Sequence, residues 1–368
     1  MRRKSVLPNH YTFPFILKSL SDLKELGRGQ TVHTHIVKEG HLRDLYVGNA
    51  LLDLYASCGE MEMCEFLFDE MPQRDAVSWT VLISGYRNAR KLDEALIAFE
   101  RMQYAGVPPN RVTMVNALSA CSGHGALQMG IWIHDYIRRH GLELDVILGT
   151  SLIDMYGKCG RIETGLSVFN VMSEKNVFTW NSIIRGLALA KNGRAAVSWF
   201  LRMEGEGLTP DRVTLIGVLC ACSHSGLVQI GLQIFFSLIC GKYGFPPGIK
   251  HYGCVIDLLA RAGLTDEAKA FMEMMPFEPN TAIWGSLLVG CRARGDIELS
   301  GKVARKLIEL EPENTAYYIL LSNLYAEIGR WEGVEEVRRW MKERGFKKDI
   351  GRSFVEMEEY TRRVDLSC

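Results

Sequence analysis

Short polar side chains recur at one phase of a repeated sequence. Asn49, Thr80, Thr150 and Asn181 each occupy the fifth place of a segment of 31 or 35 residues that ends in Asp or Asn. Amide and hydroxyl groups donate and accept hydrogen bonds, whereas a carboxylate only accepts them. One such group per segment is the chemistry needed to hydrogen-bond the Watson–Crick edges of unstacked bases in a single-stranded nucleic acid. The pairs of fifth and last residues are Asn49 with Asp75, Thr80 with Asn110, Thr150 with Asn176, and Asn181 with Asp211.

A structural role competes for the same residues. Polar residues are common near helix starts, and Asp or Asn at a segment end is a typical N-cap residue for the following helix. The recurrence of four polar side chains at one phase, each with Asp or Asn at the segment end, favours base readout. Both roles stay open for the terminal Asp and Asn residues, because one side chain can serve both.

No motif for metal or covalent chemistry accompanies these residues. Zinc deaminase chemistry needs H-x-E and then P-C-x-x-C, and neither H-x-E nor C-x-x-C occurs in the sequence. Two cysteine pairs, Cys58 with Cys159 and Cys121 with Cys222, are repeat equivalents, which favours packing over metal ligation. The sequence therefore predicts no catalytic residue, no metal site and no cofactor.

Composition limits the class of protein and its partners. The chain has 368 residues, 47% of them apolar, which is enough for a sizeable core. No stretch approaches the 18 or so consecutive apolar residues of a membrane-spanning helix, so we expect no membrane partner. The 43 basic and 43 acidic residues cancel, which argues against a bulk positive field. Any nucleic-acid binding should then depend on base contacts more than on phosphate neutralisation, with a shallow dependence on salt.

An internal repeat sets the architecture. With an offset of 101 residues, Trp79 falls on Trp180 and Gly85 falls on Gly186, and Cys, Gly and Pro residues stay in register around them. Such self-similarity is typical of repeat proteins. The repeat divides residues 10–280 into eight tandem units, which are 10–44, 45–75, 76–110, 111–145, 146–176, 177–211, 212–248 and 249–280.

Each unit has the pattern of two antiparallel helices. In 76–110, apolar residues at Trp79, Leu82, Ile83 and Tyr86 have helical spacing, and a second helical run follows a short turn. Gly106 and the prolines behind it end that second run. Helices this short are marginal alone, so stacking of neighbours must bury their apolar faces. The prediction is an all-α fold, an α-solenoid superhelix whose concave face is lined by every first helix.

The chain resembles the plant pentatricopeptide repeat family. The resemblance rests on VSWTVLISGYRNARKLDEALIAFERMQYAGVPPN, LGTSLIDMYGKCG and LCACSHSGLVQIGLQIF, which match the subclass that alternates 35-residue, longer-variant and 31-residue motifs. Tetratricopeptide repeats would show W-x2-L-G-x2-Y, which is absent in that form. Residues 281–348 resemble the family's E-type extension and are also expected to cap the array. Residues 1–9 resemble the tail of a repeat that lacks its first helix, and 349–368 form a C-terminal tail.

The resemblance implies roles for particular residues. In the family, the fifth and last residues of a unit select a base, with Asn/Asp favouring U and Thr/Asn favouring A. We call 45–75, 76–110, 146–176 and 177–211 the reading units. Units 10–44, 111–145 and 212–248 carry Pro14, Val115 and Ile216 at the fifth place, which cannot bond a base edge, and we call them spacer units. The pair Gly253 with Asn280 in the last unit is atypical and is left undecoded. The second residues expected to flank the bases are Tyr46, Val77, Ile147 and Phe178.

The resemblance also implies a function. It is sequence-specific binding of single-stranded organellar RNA, as a site-recognition factor for C-to-U editing whose deaminase and accessory proteins come from partners that dock on the E-type extension. The alternatives are RNA stabilisation, splicing or processing without editing, and a protein-interaction scaffold. A mitochondrial location is favoured over a chloroplast one. The sequence itself shows no long Arg- and Ser-rich presequence, which a truncated N-terminus would explain.

Overall fold

The described part of the chain is built from helix pairs. A computed structural model describes residues 8–346, which contain twenty α-helices and no strand, and the all-α prediction is confirmed. Within those residues, no helix combines the length and the apolar character needed to cross a bilayer. The interpretations of residues 1–7 and 347–368 lie outside the described residues. The helices are α1 Thr12–Leu23, α2 Leu26–Lys38, α3 Leu45–Ser57, α4 Met61–Glu70, α5 Ala76–Asn88, α6 Leu92–Tyr104, α7 Arg111–His124, α8 Leu127–Arg139, α9 Val146–Lys158, α10 Ile162–Val171, α11 Val177–Leu189, α12 Gly193–Gly205, α13 Arg212–His224, α14 Val228–Ile239, α15 Ile249–Arg261, α16 Thr265–Met274, α17 Thr281–Arg294, α18 Ile297–Leu310, α19 Thr315–Glu327 and α20 Trp331–Glu343.

Local sequence signals set where these helices begin and end. An Asp or Asn side chain caps α5, α7, α11 and α13 by accepting from backbone N–H groups of the first turn. Such caps satisfy donors that a helix N-terminus leaves unpaired. After α6, Gly106 adopts a positive φ of 68° that other residues rarely take, which explains the stop predicted there.

The helices form two compact units, one ending at Leu258 and the other beginning at Leu259. In the first unit, each odd-numbered helix from α1 to α11 packs on the next odd-numbered helix, which makes one continuous layer. The even-numbered helices α4, α6, α8, α10 and α12 pack between their own partner and the following odd-numbered helix. This stacking is the arrangement of an α-solenoid, in which each repeat buries its apolar face on its neighbours.

Aromatic side chains repeat in the core of the first unit. Trp79 packs edge-on against Phe68 with ring centroids 4.6 Å apart, and Trp180 packs in the same way against Phe169 at 4.9 Å. Both tryptophans are buried, as the 101-residue offset leads one to expect. Edge-to-face rings at such distances contribute beyond the area that they bury. The interior of the layer is therefore as regular as the sequence repeat.

The second unit has its own small core and one close backbone approach. Tyr318, Leu321, Val334 and Val337 are buried together. Trp331, the first residue of α20, is 65% exposed. A Cβ built on Gly290 would lie 2.6 Å from the carbonyl oxygen of Ala260, so only glycine fits there.

Candidate nucleic-acid interface

The first reading pair forms a hydrogen-bonded network with the next unit. Asn49 Nδ2 donates to Asp75 Oδ1 at 3.1 Å, and the Ser78 hydroxyl lies 2.6 Å from Asn49 Oδ1 and 3.0 Å from Asp75 Oδ1. Asp75 is also the N-cap of α5, where its Oδ1 accepts from the N–H groups of Val77 and Ser78. The fifth residue, the last residue and a hydroxyl of the following unit are thus held as one group.

The same network recurs far along the chain. Asn181 Nδ2 donates to Asp211 Oδ1 at 3.0 Å, and the Thr214 hydroxyl lies 2.6 Å from Asn181 Oδ1 and 2.9 Å from Asp211 Oδ1. Asp211 caps α13 by accepting from the Thr214 N–H at 2.8 Å. The two Asn/Asp pairs therefore present nearly identical geometry, with a threonine in place of the serine.

The two Thr/Asn pairs use a hydroxyl–hydroxyl contact instead. The Oγ1 atoms of Thr80 and Thr113 lie 2.6 Å apart, and Asn110 Nδ2 donates weakly to Thr80 at 3.4 Å. Asn110 Oδ1 accepts from the Thr113 N–H, which caps α7, and lies 3.0 Å from the Thr113 hydroxyl. The side chain of Thr80 is fixed further because its hydroxyl donates to the carbonyl of Ala76.

Thr150 and Asn176 are linked only through a third residue. The Oγ1 atoms of Thr150 and Thr179 lie 2.9 Å apart, and the Thr179 hydroxyl donates to Asn176 Oδ1 at 3.2 Å. Asn176 caps α11 through the Thr179 N–H. Three of the four sequence-predicted pairs are therefore in direct hydrogen-bond contact, and the fourth is bridged.

Capping and pairing coexist at the last residue of each reading unit. The capping role considered for the last residues is confirmed, because all four cap a helix, and base readout stays a prediction. At Asp75, partial burial raises the carboxyl pKa, but hydrogen bonds from Ser78, Asn49 and Val77 outweigh it and hold the pKa below its ordinary value. Asp75 is accordingly an ionised acceptor at neutral pH.

The second residues form an exposed apolar row at the N-terminal ends of the odd-numbered helices. Tyr46 is 73% exposed and Phe178 is 67% exposed, although large apolar side chains are usually buried. Spacer units contribute residues at the same place that the sequence prediction did not include. The row comprises Tyr11, Tyr46, Val77, Val112, Ile147, Phe178 and Val213. Flat or branched apolar side chains one unit apart offer surfaces on which bases can stack.

Spacer units replace the polar network by a different contact. At each of their boundaries with the next unit, a serine hydroxyl donates to an aspartate of the following odd-numbered helix. The bonds are Ser21 to Asp53 at 3.0 Å, Ser122 to Asp154 at 2.9 Å, and Ser223 to Asp257 at 2.5 Å. These contacts lie about two helical turns beyond the fifth residue, so Pro14, Val115 and Ile216 stay outside them.

A cavity lined by two arginines and an aspartate lies beside two of the predicted pairs. Thr150, Phe178 and Asn181 line a cavity of about 340 Å³ together with Arg87 and Arg185. Arg185 is paired with Asp154, which also accepts from Lys158 at 2.9 Å. Burial raises the pKa of Asp154, but the bonds from Lys158 and Ser122 and the charge of Arg185 bring it below its ordinary value. The arginines add donors suited to anionic groups.

Several of these residues were missed at the sequence level. Arg87 and Arg185 show no repeat phase in common, and their convergence on the cavity is visible only in three dimensions. Ser78, Thr113, Thr179 and Thr214 do have a sequence signal, since each is the third residue of a unit that follows a reading unit. Among residues 8–346 no cluster of three His, Cys, Asp or Glu side chains could hold a metal ion.

These features define a class of protein, a helical-repeat solenoid with polar networks and apolar side chains at a fixed phase of each repeat. The structure is similar to the crystal structure of the pentatricopeptide repeat protein PPR10 in complex with an 18-nt psaJ RNA element, with a TM-score of 0.73. The two sequences are 16% identical, and the match covers 94% of this chain and 57% of that chain. At that identity the likeness concerns the fold.

Sequence comparisons give the family. The model described as PPR repeat matches residues 49–75, 150–177, 178–208 and 250–278, the PPR repeat family model matches 74–123, and the E motif model matches 294–356. The chain belongs to the pentatricopeptide repeat family and carries its E-type extension, which confirms the resemblance seen in the sequence.

Curated relatives from Arabidopsis thaliana cover most of this chain. A mitochondrial pentatricopeptide repeat-containing protein is 39% identical over 97% of this chain and 57% of its own length. A chloroplastic one is 41% identical over 97% of this chain and 48% of its own length. Another mitochondrial relative is 38% identical over 93% of this chain and 73% of its own length. The chain thus spans about half the length of the first two relatives.

Proposed function

We propose that the protein binds single-stranded RNA sequence-specifically in a plant organelle. The observation that supports this most strongly is that, at all four reading units, hydrogen bonds join the fifth residue, the last residue and a hydroxyl of the next unit, beside an exposed apolar side chain. Capping alone requires only the last residue, so it leaves the polar fifth residue unexplained. PPR10, a pentatricopeptide repeat protein, forms a complex with an 18-nt psaJ RNA element. Relatives named mitochondrial or chloroplastic support an organellar location, with the mitochondrion as our proposal.

The free atoms of each pair account for base preference. At Asp75 the donors Asn49, Val77 and Ser78 all bond Oδ1, so Oδ2 remains an acceptor that suits the N3–H of uracil and repels the N3 lone pair of cytosine. At Asn110 one N–H of the amide is left over, which suits N1 of adenine and opposes N1–H of guanine. The short Thr80 leaves room for a purine, whereas the longer Asn49 reaches a pyrimidine. The proposed sequence, 5′ to 3′, is U, A, an unread base, A, U.

The neutral charge shapes how such binding should respond to salt. With 43 residues of each sign, few counterions are displaced when RNA binds, so log Kd should change little with log salt.

Recoding tests the pairing directly. Replacing Thr150 by Asn and Asn176 by Asp should move the preference at the fourth RNA position from A to U, and exchanging that RNA base should restore the affinity. An unchanged base preference at the fourth position, measured at fixed salt, would contradict the proposed assignment of residue pairs to bases. No affinity for any single strand in a random-pool selection would favour a protein-interaction scaffold.

The E motif supports a more specific role. We propose that the protein selects a cytidine for C-to-U editing and that the second unit, with its E-type extension, docks a deaminase supplied by a partner. Sequencing of organellar transcripts from plants that lack the protein tests this. Loss of conversion at a cytidine close to a U-A-N-A-U element is the expected outcome. Complete editing with altered transcript ends or unspliced introns would instead indicate an RNA-processing role.

A further inference from the structure

The third residue of each unit separates the reading units from the spacer units. Every reading unit is followed by a unit whose third residue carries a hydroxyl. Every spacer unit is followed by one whose third residue has none. The hydroxyl residues are Ser78, Thr113, Thr179 and Thr214, and the residues after spacer units are Val47, Leu148 and His251. Backbone capping cannot explain this division, because Asp44 and Asp145 cap α3 and α9 beside Val47 and Leu148.

The hydroxyls are buried and contact the reading side chains. All four residues are fully buried. At the Asn/Asp pairs the shortest contact of the hydroxyl, 2.6 Å, is to the amide oxygen of the fifth residue in both networks. At the Thr/Asn pairs the hydroxyl contacts the fifth-residue hydroxyl at 2.6 and 2.9 Å. A buried polar group in such a place is retained only with its partners satisfied.

One hydroxyl proton decides which way the amide faces. Ser78 can donate to only one acceptor at a time, and donation to Asn49 Oδ1 points the amide nitrogen at the Asp75 carboxylate. The amide then keeps one N–H and one oxygen lone pair for a ligand. Without the hydroxyl, the Asn49 amide oxygen loses its donor, and nothing then fixes which end of the amide carries the oxygen and which the nitrogen. The side chain can therefore rotate away from the arrangement that faces the base.

We propose that these four hydroxyls are positioning residues for base selection, which rests on the RNA-reading function proposed above. Each one orients the fifth residue of the preceding unit without touching the RNA itself. The determinant of one RNA position is then a trio that spans two units, such as Asn49, Asp75 and Ser78. The base contact made by each unit depends on a side chain that formally belongs to its neighbour.

The test compares three substitutions at serines. S78A removes the hydroxyl of the first network, S78T restores it with the residue that the other three networks use, and S122A removes a serine hydroxyl at a spacer boundary. Fluorescence anisotropy gives the Kd of each variant for RNAs that carry U, C, A or G at the first position. The preference for U is the Kd for the C-containing RNA divided by the Kd for the U-containing RNA. We expect S78A to lower this ratio about three- to tenfold, which corresponds to the net contribution of one hydrogen bond. S78T and S122A should keep the wild-type ratio.

The outcomes separate this proposal from the function on which it rests. A wild-type protein that shows no preference at the first position contradicts the RNA-reading function. A wild-type preference that S78A retains in full, with a folded protein by circular dichroism, overturns the positioning role. S78A also removes an acceptor from the Asp75 N–H, so a lower melting temperature is expected and does not bear on the ratio. T214V removes the corresponding hydroxyl beside Asn181 and tests base preference at the fifth RNA position. A wild-type preference for U over C in T214V would also contradict the proposal.

Discussion

Replacing Asp211 by Asn should change the preferred base at one RNA position from U to C. The substitution exchanges the free carboxylate oxygen for an N–H donor and keeps the shape of the side chain. Uracil presents N3–H at this place and cytosine presents a lone pair, so the new donor opposes the first and pairs with the second. The other RNA positions should be read as before, because the change lies within one network.

The magnitude follows from the contacts of Asp211. Its Oδ1 accepts from the Thr214 N–H and from Asn181 Nδ2, while the Thr214 hydroxyl donates to Asn181 Oδ1 at 2.6 Å, so the two lone pairs of an amide oxygen can accept the same two bonds. Asn is as good an N-cap as Asp, so the free energy of unfolding should change by no more than about 0.5 kcal/mol. A hydrogen bond to a charged group contributes about 1.5–3 kcal/mol. Its loss for U should shift the U-to-C ratio of Kd values by about 10- to 100-fold.

Competition binding with RNAs that differ only at the fifth position measures this ratio. The matched control is D44N, the same exchange at the cap of α3, where the fifth residue of the unit is Pro14 and no reading network exists. D44N should leave every ratio unchanged. If D211N keeps the preference for U at an unchanged melting temperature, the assignment of Oδ2 as the atom that selects the base is wrong.

Three further predictions concern the row, the packing and pH. Replacing Phe178 by Ala should weaken binding about 5- to 150-fold for all RNA sequences, since base stacking contributes about 1–3 kcal/mol, and titrations with RNA variants measure it. G290A should lower the free energy of unfolding by about 1–3 kcal/mol, while G285A on the same helix, with open space at its Cβ, should be neutral or stabilising in urea denaturation. Burial lowers the pKa of His33 and His134, so the unfolded state binds protons first and stability should fall as pH drops below about 6.5. The double variant H33Q/H134Q should flatten that fall.

Controls distinguish these effects from general damage. Leu201 is exposed on an even-numbered helix, away from the row, and L201A should not weaken RNA binding. A uniform loss for L201A as great as that for the Phe178 variant would show that exposure alone explains the row. Equal stability of the two glycine variants would contradict the close approach to Ala260. An unchanged slope of stability against pH in the double variant would assign the acid sensitivity to other groups.

Most of the fold could be predicted from the sequence because the repeat is so regular. The apolar spacing in 76–110 predicts two helices, and α5 and α6 lie there. Helix α6 ends at Tyr104, before Gly106, as predicted. The solvent exposure of Trp331 could not be predicted, since helical spacing locates a face but not the end of the helix at which neighbours stop covering it.

The site was predictable in its pairs and not in its third member. Fifth and last residues have a distinctive phase, and the structure places three of the four pairs in contact. Ser78 and its equivalents recur at one phase as well, but Ser and Thr near a helix start are ordinary capping-box residues, so the phase alone does not indicate a role in readout. Their significance depends on the 2.6 Å contact to a side chain of another helix, which no local pattern contains.

Each network crosses the formal end of a repeat, and this affects how repeats can be exchanged. A segment cut from residue 45 to residue 75 separates Asn49 and Asp75 from Ser78. A transplanted cassette that preserves the trio has to extend from at or before Asn49 to at or beyond Ser78. Recombination between genes, or the assembly of designer arrays, should therefore preserve specificity best when the breakpoints fall in spacer units, for example in α8 or the loops flanking it, where no reading contact is divided.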